Sequence, residues 1–246
     1  MDRPEALNAF DAPMIGEMRR YVAQVAGDRD VRAVVLAGNG RSFCTGVDVK
    51  GLKEGSVGLE WFRDWHQMTA ELERLEIPVV AAVQGHCLGG GLMLTLTADY
   101  RIAADDLRIG LGAVRHGILP GSAPQRLAGA VGSLAARRLC LFGEYVDAAE
   151  ALRIGLVDRV VPPVDLDSTA QALADRAASL SPGTLRELKR LLMQSSSLSD
   201  EEYETAYLAA QQRCLNTSFL EQPPAPGRHL QEPEAGGSTR PEGTSQ

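Results

Sequence analysis

The sequence predicts an α/β fold with a helical C-terminal portion. Two patterns carry that reading: short β-branched runs alternate with segments of helical period, and glycine-rich turns follow the runs. Beyond about residue 166, a third observation applies, since only polar-faced helical periodicity remains.

Residues 13–27, "PMIGEMRRYVAQVAG", place apolar side chains at 14, 15, 18, 22 and 25, one buried face of a helix. "VRAVVLAG" (31–38) is short and β-branched, and "GNGRSFCTG" after it is turn chemistry, so a strand runs into a loop. "LEWFRDWHQMTAELERLE" (59–76) returns to the helical period and stops before Pro78. "PVVAAVQG" predicts a second, buried strand, and "GGLMLTLTADY" opens a helix behind three glycines. "YRIAADD" (100–106) predicts a third strand, followed by a Gly-rich loop over 109–121. Residues 122–142 are expected to be helical, "GEYVDAAEALRIGLVDRVV" to give a helix and a strand, and 167–180 and 184–215 to be helices. The expected organisation is a core over 1–165, a helical region over 166–221 and a tail over 222–246. That tail is rich in Pro, Gly, Ser and Glu and is expected to be disordered, because it cannot bury enough apolar surface to offset ordering.

Composition narrows the class of function. A formal charge of −7 argues against a nucleic-acid surface as the main partner. No apolar run reaches the roughly 18–20 residues that span a bilayer, and the start "MDRPEALNAF" has no signal-peptide core. Cys44, Cys87, Cys140 and Cys214 are widely spaced without a C-x-x-C, so neither a disulfide framework nor a zinc site is signalled, and a cytoplasmic setting is expected.

Two glycine-containing strand exits, "FCTGVDVKGL" (43–52) and "GHCLGGGL" (85–92), can each present a backbone N–H into a shared cleft. Two such donors aimed at one carbonyl oxygen would stabilise an enolate or tetrahedral oxyanion. The alternative is that both are tight turns allowing close helix–sheet packing.

"RPEALNAF", "GNGRSFCTGVDVKGL", "IPVVAAVQGHCLGGGLMLTLTADYRIAADD", "GILPGSAPQRLAGAVG" and "DAAEALRIGLVDRVVP" occur in that order. Together they resemble the crotonase (enoyl-CoA hydratase/isomerase) superfamily over roughly residues 3–215. The resemblance implies a crotonase-like spiral of ββα units, with C-terminal helices that assemble a homotrimer or a dimer of trimers. It implies an acyl thioester substrate, of coenzyme A or of an acyl carrier protein, and no cofactor beyond the coenzyme A of the substrate. Its oxyanion donors fall on the N–H groups of Val47 and Gly90, and its coenzyme A contacts on Ala6, Leu7, Val49 and Lys50. Lys50 reads equally as a solvated lysine at a loop edge. The family's strand and turn ahead of "RPEALNAF" have no counterpart here, and the expectation is a longer native product that supplies them.

The resemblance breaks at the chemistry. Hydratases of the family use two glutamates to place and deprotonate water, and those positions are Met93 and Ala113 here. Neither side chain transfers a proton, so the expected reaction is decarboxylation, isomerisation or hydrolysis of a thioester or C–C bond rather than ordinary hydration. The rival expectation is a catalytically inactive acyl-CoA-binding homologue. His66 is the first candidate for proton transfer, since "WHQM" is similar to the matching helix of the chlorobenzoyl-CoA dehalogenases. Their nucleophilic aspartate matches Gly121, which argues against covalent dehalogenation. His116, beside Arg115, could border the cleft, whereas His86 reads as a packing residue before the glycines. Cys44 and Cys87 lie near the expected donors without any sign of an activated thiolate. Trp61, Phe62, Trp65, Leu92, Met93 and Leu94, with Ala113, are expected to line a hydrophobic acyl pocket suited to a bulky group, aromatic or polyketide-derived.

Overall fold

The computed structural model describes residues 1–195 and 197–216, so the tail expected from residue 222 lies outside the described residues. The chain begins with a 3₁₀ turn (Pro4–Ala6) and helix α1 (Ala12–Gly27), whose N-cap Asp11 accepts a hydrogen bond from the Met14 amide at 3.0 Å. Strand β1 (Val34–Leu36) leads through a long turn to α2 (Val49–Lys53) and α3 (Leu59–Glu73). Strands β2 (Val79–Val83) and β3 (His86–Leu88) precede the short α4 (Gly90–Thr95). Strands β4 (Tyr100–Ala104) and β5 (Arg108–Gly110) precede α5 (Ala123–Leu141). Then come β6 (Tyr145–Asp147), α6 (Ala148–Arg153) and β7 (Arg159–Val161). The helices α7 (Leu166–Ala178), α8 (Pro182–Gln194) and α9 (Asp200–Asn216) follow.

Two sheets arise among the described residues. One is parallel, in the order β1-β2-β4-β7; the other has the order β3-β5-β6, parallel then antiparallel. Each of the successive units β2-β3-α4 and β4-β5-α5 gives one strand to each sheet, which is the ββα spiral the resemblance implies.

Strand β2 shows why the larger sheet sits at the centre. Its residues alternate between two cores: Val79, Ala81 and Val83 face the cluster under α1, α3 and α4, while Val80 and Ala82 face the opposite side. On that opposite side α7 lays Leu166, Ala170 and Ala174 against Ile102 and Ala104. A strand buried on both faces reads as a continuous apolar run, which "VVAAV" is.

Three expectations need correction. The loop expected over 109–121 contains the last two residues of β5 and a 3₁₀ turn (Ala113–His116), because three paired residues are too few to show an alternation. The helix expected over 122–142 is interrupted at Gly132, whose φ of 76° and ψ of 162° leave the helical region. The segment 184–215 divides into α8 and α9, and β3 and β6 are short strands that sequence periodicity did not separate from their flanking turns.

An ionic clasp fixes the last third of the core to α5. Glu150 on α6 receives hydrogen bonds from Arg153 and from Arg138 of α5, and Arg138 also pairs with Glu144 at 2.8 Å. Those bonds, Arg153 first and Arg138 next, hold the Glu150 carboxyl down at about 2 against an ordinary value of 4.5. A depressed native value stabilises the fold above the unfolded-state value and loses that contribution as pH falls through the native one. The expected outcome is a thermal midpoint of Glu150→Gln below wild type at pH 7, with the gap closing as the pH is lowered from 4.5 toward 2, checked by calorimetry across that range.

Candidate active site

The turn after β1 is built by zipping backbone onto β3. The Cys44 amide donates to the His86 carbonyl at 3.2 Å, and the Leu88 amide donates to the Cys44 carbonyl at 2.9 Å. The N-terminal turn holds the other side of this segment. Asn8, fully buried in a left-handed conformation (φ 54°), donates to the carbonyls of Asn39 and Ser42, and its Oδ1 accepts from the Arg3 amide. Leu7, also left-handed, accepts from the Thr45 amide at 3.2 Å.

The three glycines have three separate reasons. Gly89 takes φ 54°, which side chains rarely adopt. A Cβ on Gly90 would stand 2.9 Å from a Trp65 ring carbon and 3.0 Å from the Gly46 Cα. A Cβ on Gly91 would lie 2.1 Å from the Cys44 carbonyl oxygen. Gly46 (φ 88°) completes the approach, since its own Cβ would stand 2.6 Å from the Gly90 nitrogen.

Peptide planarity then aims the two donors. The Gly46 carbonyl accepts from the Phe10 amide at 2.7 Å, so the Val47 N–H across the same trans peptide points away from Phe10. The Gly89 carbonyl accepts from the Met93 amide at 3.2 Å along α4, so the Gly90 N–H points away from that helix. Neither N–H has a hydrogen-bond partner among the described residues, and both residues line one cavity of about 430 Å³. Unpartnered amides at a cavity wall are donors available to a ligand.

Most of the sequence-expected residues meet at this cavity. Ala6, Val47, Val49, Lys50, Trp61, Phe62, Trp65, His66, Gly90, Met93, Ala113 and His116 all line it. Leu7 does not line it, and its carbonyl is engaged with the Thr45 amide. Leu92 and Leu94, expected in the acyl pocket, are fully buried core residues on the other faces of α4. His86 lies outside the lining, with its Nδ1 3.4 Å from the Ser42 hydroxyl. Lys50 is 81% exposed at the rim and within 4.0 Å of Glu54.

One wall is aromatic. Trp61 and Trp65 stack with ring centroids 5.5 Å apart, and Trp65 meets Phe10 edge-on at 4.9 Å. Buried positions 61, 65, 68 and 72 on α3 produce this face at helical spacing. His66 and His116 both present exposed rings at the cavity mouth. Met93 and Ala113 also line the cavity but are buried, and the Met93 methyl would stand 3.0 Å from a Cβ on Gly121. The cavity therefore offers two amide donors and two imidazoles, and the carboxylate in its lining is Asp48, which lies within 3.6 Å of Arg3. Sequence reasoning missed Tyr145, which reaches the lining from β6; only its place beside the "GEYVDAAEA" stretch could have drawn notice.

Comparison with known proteins agrees with this architecture. The family model for enoyl-CoA hydratase/isomerase matches residues 1–223. The short-chain-enoyl-CoA hydratase of Clostridium acetobutylicum is 35% identical, across 90% of this chain and 89% of that protein. The (E)-benzylidenesuccinyl-CoA hydratase of Thauera aromatica is 34% identical, across 77% of this chain and 75% of its own length. The crystal structure of an enoyl-CoA hydratase from Bacillus anthracis superposes with a TM-score of 0.83 at 28% identity, covering 88% of this chain and 85% of that one. Among the described residues no helix is long and apolar enough to cross a membrane.

The thiols beside the donors are inert by burial. Burial pushes the Cys44 thiol up to about 12 and the Cys87 thiol well above its ordinary range. Under native conditions at pH 8 both should stay unmodified by a thiol-reactive reagent, and both should react once the protein is denatured. Peptide mass mapping of the labelled cysteines checks this.

Proposed function

We propose that this chain, which belongs to the enoyl-CoA hydratase/isomerase family, binds an acyl-CoA thioester and acts on it through an enolate or tetrahedral oxyanion without performing ordinary hydration. One observation carries the proposal. Two unpartnered amides, of Val47 and Gly90, face a cavity lined by Met93 and Ala113, the positions that the resemblance matches to the hydratases' proton-transferring glutamates.

In this reading the thioester oxygen accepts from both N–H groups, so negative charge developing there is stabilised before any proton moves. Ala6, Val49 and Lys50 face the coenzyme end, and the aromatic wall packs the acyl group. Adding water across a double bond needs an acid and a base within hydrogen-bond reach of both carbons, which a thioether and a methyl cannot supply. Decarboxylation asks less of the site. The C–C bond to the carboxylate breaks, its electron pair delocalises onto the thioester oxygen, carbon dioxide leaves, and one proton returns to the α-carbon. Isomerisation and hydrolysis of a thioester or C–C bond likewise need a single proton carrier. His66, at the mouth, is the residue assigned to carry it. A carrier-protein thioester would present the same acyl group.

Met93 and Ala113 also favour a second reading, an acyl-CoA-binding homologue without turnover. Incubation with crotonyl-CoA, malonyl-CoA and benzoyl-CoA, followed by mass spectrometry, separates the two. Loss of carbon dioxide, a double-bond shift or free coenzyme A supports the enzyme, and hydrated crotonyl-CoA as the main product overturns the proposal. Binding with no product supports the second reading. Where turnover is found, His66→Ala should lower kcat at least about 100-fold; an unchanged rate removes His66 from the chemistry.

Self-association is proposed for the C-terminal helices. Leu188, Leu192 and Met193 on α8 and Tyr207 and Leu208 on α9 are exposed, an apolar content unusual for a solvated face. Light scattering behind size exclusion should return a mass about three or six times that of one chain.

A further inference from the structure

Tyr145 was absorbed by neither the sequence reasoning nor the family's known chemistry, yet its surroundings are built to hold it. Within the smaller sheet, Leu88, Gly110 and Tyr145 are register partners in one row, so Tyr145 stands two strands from the residue that leads into Gly89 and Gly90. The spacing of strands puts its Cα about 10 Å from that of Leu88, a span that the long phenol side chain partly closes.

Two glycines of the β5 segment clear its path. A Cβ on Gly110 would lie 2.6 Å from the Tyr145 Cδ1, and a Cβ on Gly112 would collide with the Tyr145 hydroxyl. The Arg115 guanidinium lies over the ring, 4.7 Å from its centroid, and is itself tied to the Gly143 carbonyl at 2.8 Å. At its base, the neighbouring Glu144 is held by Arg138. The ring is thus fixed along its length, while the hydroxyl has no hydrogen-bond partner among the described residues and its residue lines the cavity beside Gly112 and Ala113.

We infer that Tyr145 is a specificity-determining residue whose hydroxyl hydrogen-bonds an oxygen carried on the acyl chain, selecting β-oxygenated acyl thioesters over plain saturated ones. The inference rests on the thioester reading of the cavity given above. Its chemistry follows from what surrounds the acyl group. Met93 and Ala113 offer that group no polar atom, the indole N–H of Trp61 is buried in the wall, and the two amides are committed to the thioester oxygen. The Tyr145 phenol, beside Gly112 and Ala113, is then a fixed donor for a keto, hydroxy or carboxylate oxygen further along the chain. Tyr145 is 38% exposed, so the discrimination against the analogue lacking that oxygen is the net worth of one hydrogen bond over water.

The test uses acetoacetyl-CoA and butyryl-CoA, thioesters of equal chain length that differ by the β-oxygen. Their dissociation constants are measured by titration calorimetry on wild type, Tyr145→Phe and Gly112→Ala. The Phe variant keeps the ring and its contact with Arg115. Gly112 has φ −88°, which alanine accepts, so its added methyl acts by displacing the hydroxyl. The expected result is that the preference for acetoacetyl-CoA falls about tenfold in Tyr145→Phe with butyryl-CoA affinity unchanged, and falls similarly in Gly112→Ala. An unchanged preference in either folded variant overturns the role of Tyr145 and leaves the thioester site standing. If wild type binds neither thioester, the reading of the cavity falls, and the inference with it.

Discussion

The approach of Gly46 to Gly90 is the contact on which the rest of the site depends. Two turns, one leaving β1 and one leaving β3, come so close that neither glycine has room for a Cβ. Everything nearby serves that approach. Asn8 and Leu7 brace the first turn from behind, Cys44 pairs with β3, and Gly91 lets α4 start directly against the Cys44 carbonyl. Because peptide groups are planar and trans, fixing the carbonyls of Gly46 and Gly89 also fixes the directions of the next two N–H groups. The donors need no side chain of their own. A valine can therefore stand at position 47 without weakening the arrangement.

A second consequence concerns charge. The wall formed by Met93 and Ala113 holds no acid that would have to ionise in an apolar setting, a state burial opposes, whereas the Asp48 carboxylate of the lining sits beside Arg3. The thioether instead fills the space facing Gly121, where its flexibility suits an irregular gap. The Met93 and Ala113 wall is thereby apolar, while His66 and His116 stand exposed at the mouth. The chain keeps the backbone frame of its family.

Legibility in the sequence followed length and periodicity. Strand β2 and helix α3 were readable because five consecutive buried residues and a four-point apolar stripe are strong local signals. Val47 and Gly90 were named through the resemblance, since the glycine run alone left tight-turn packing as an alternative. Strands β3, β5 and β6 were not, since three residues cannot display an alternation. Leu92 and Leu94 were placed in the pocket with Met93 for a related reason: a helix of six residues is too short for its period to reveal which face is inward. Tyr145 was invisible because what gives it meaning, the space over Gly110 and Gly112, is created by strand pairing between distant segments.

The stacked indoles have a practical consequence. The chain contains two tryptophans, Trp61 and Trp65, and both sit in the aromatic wall. All indole emission from this molecule therefore originates at the cavity, with no background from elsewhere in the fold. The protein carries its own optical reporter, in which a change in colour or brightness records a change at the wall that packs the ligand.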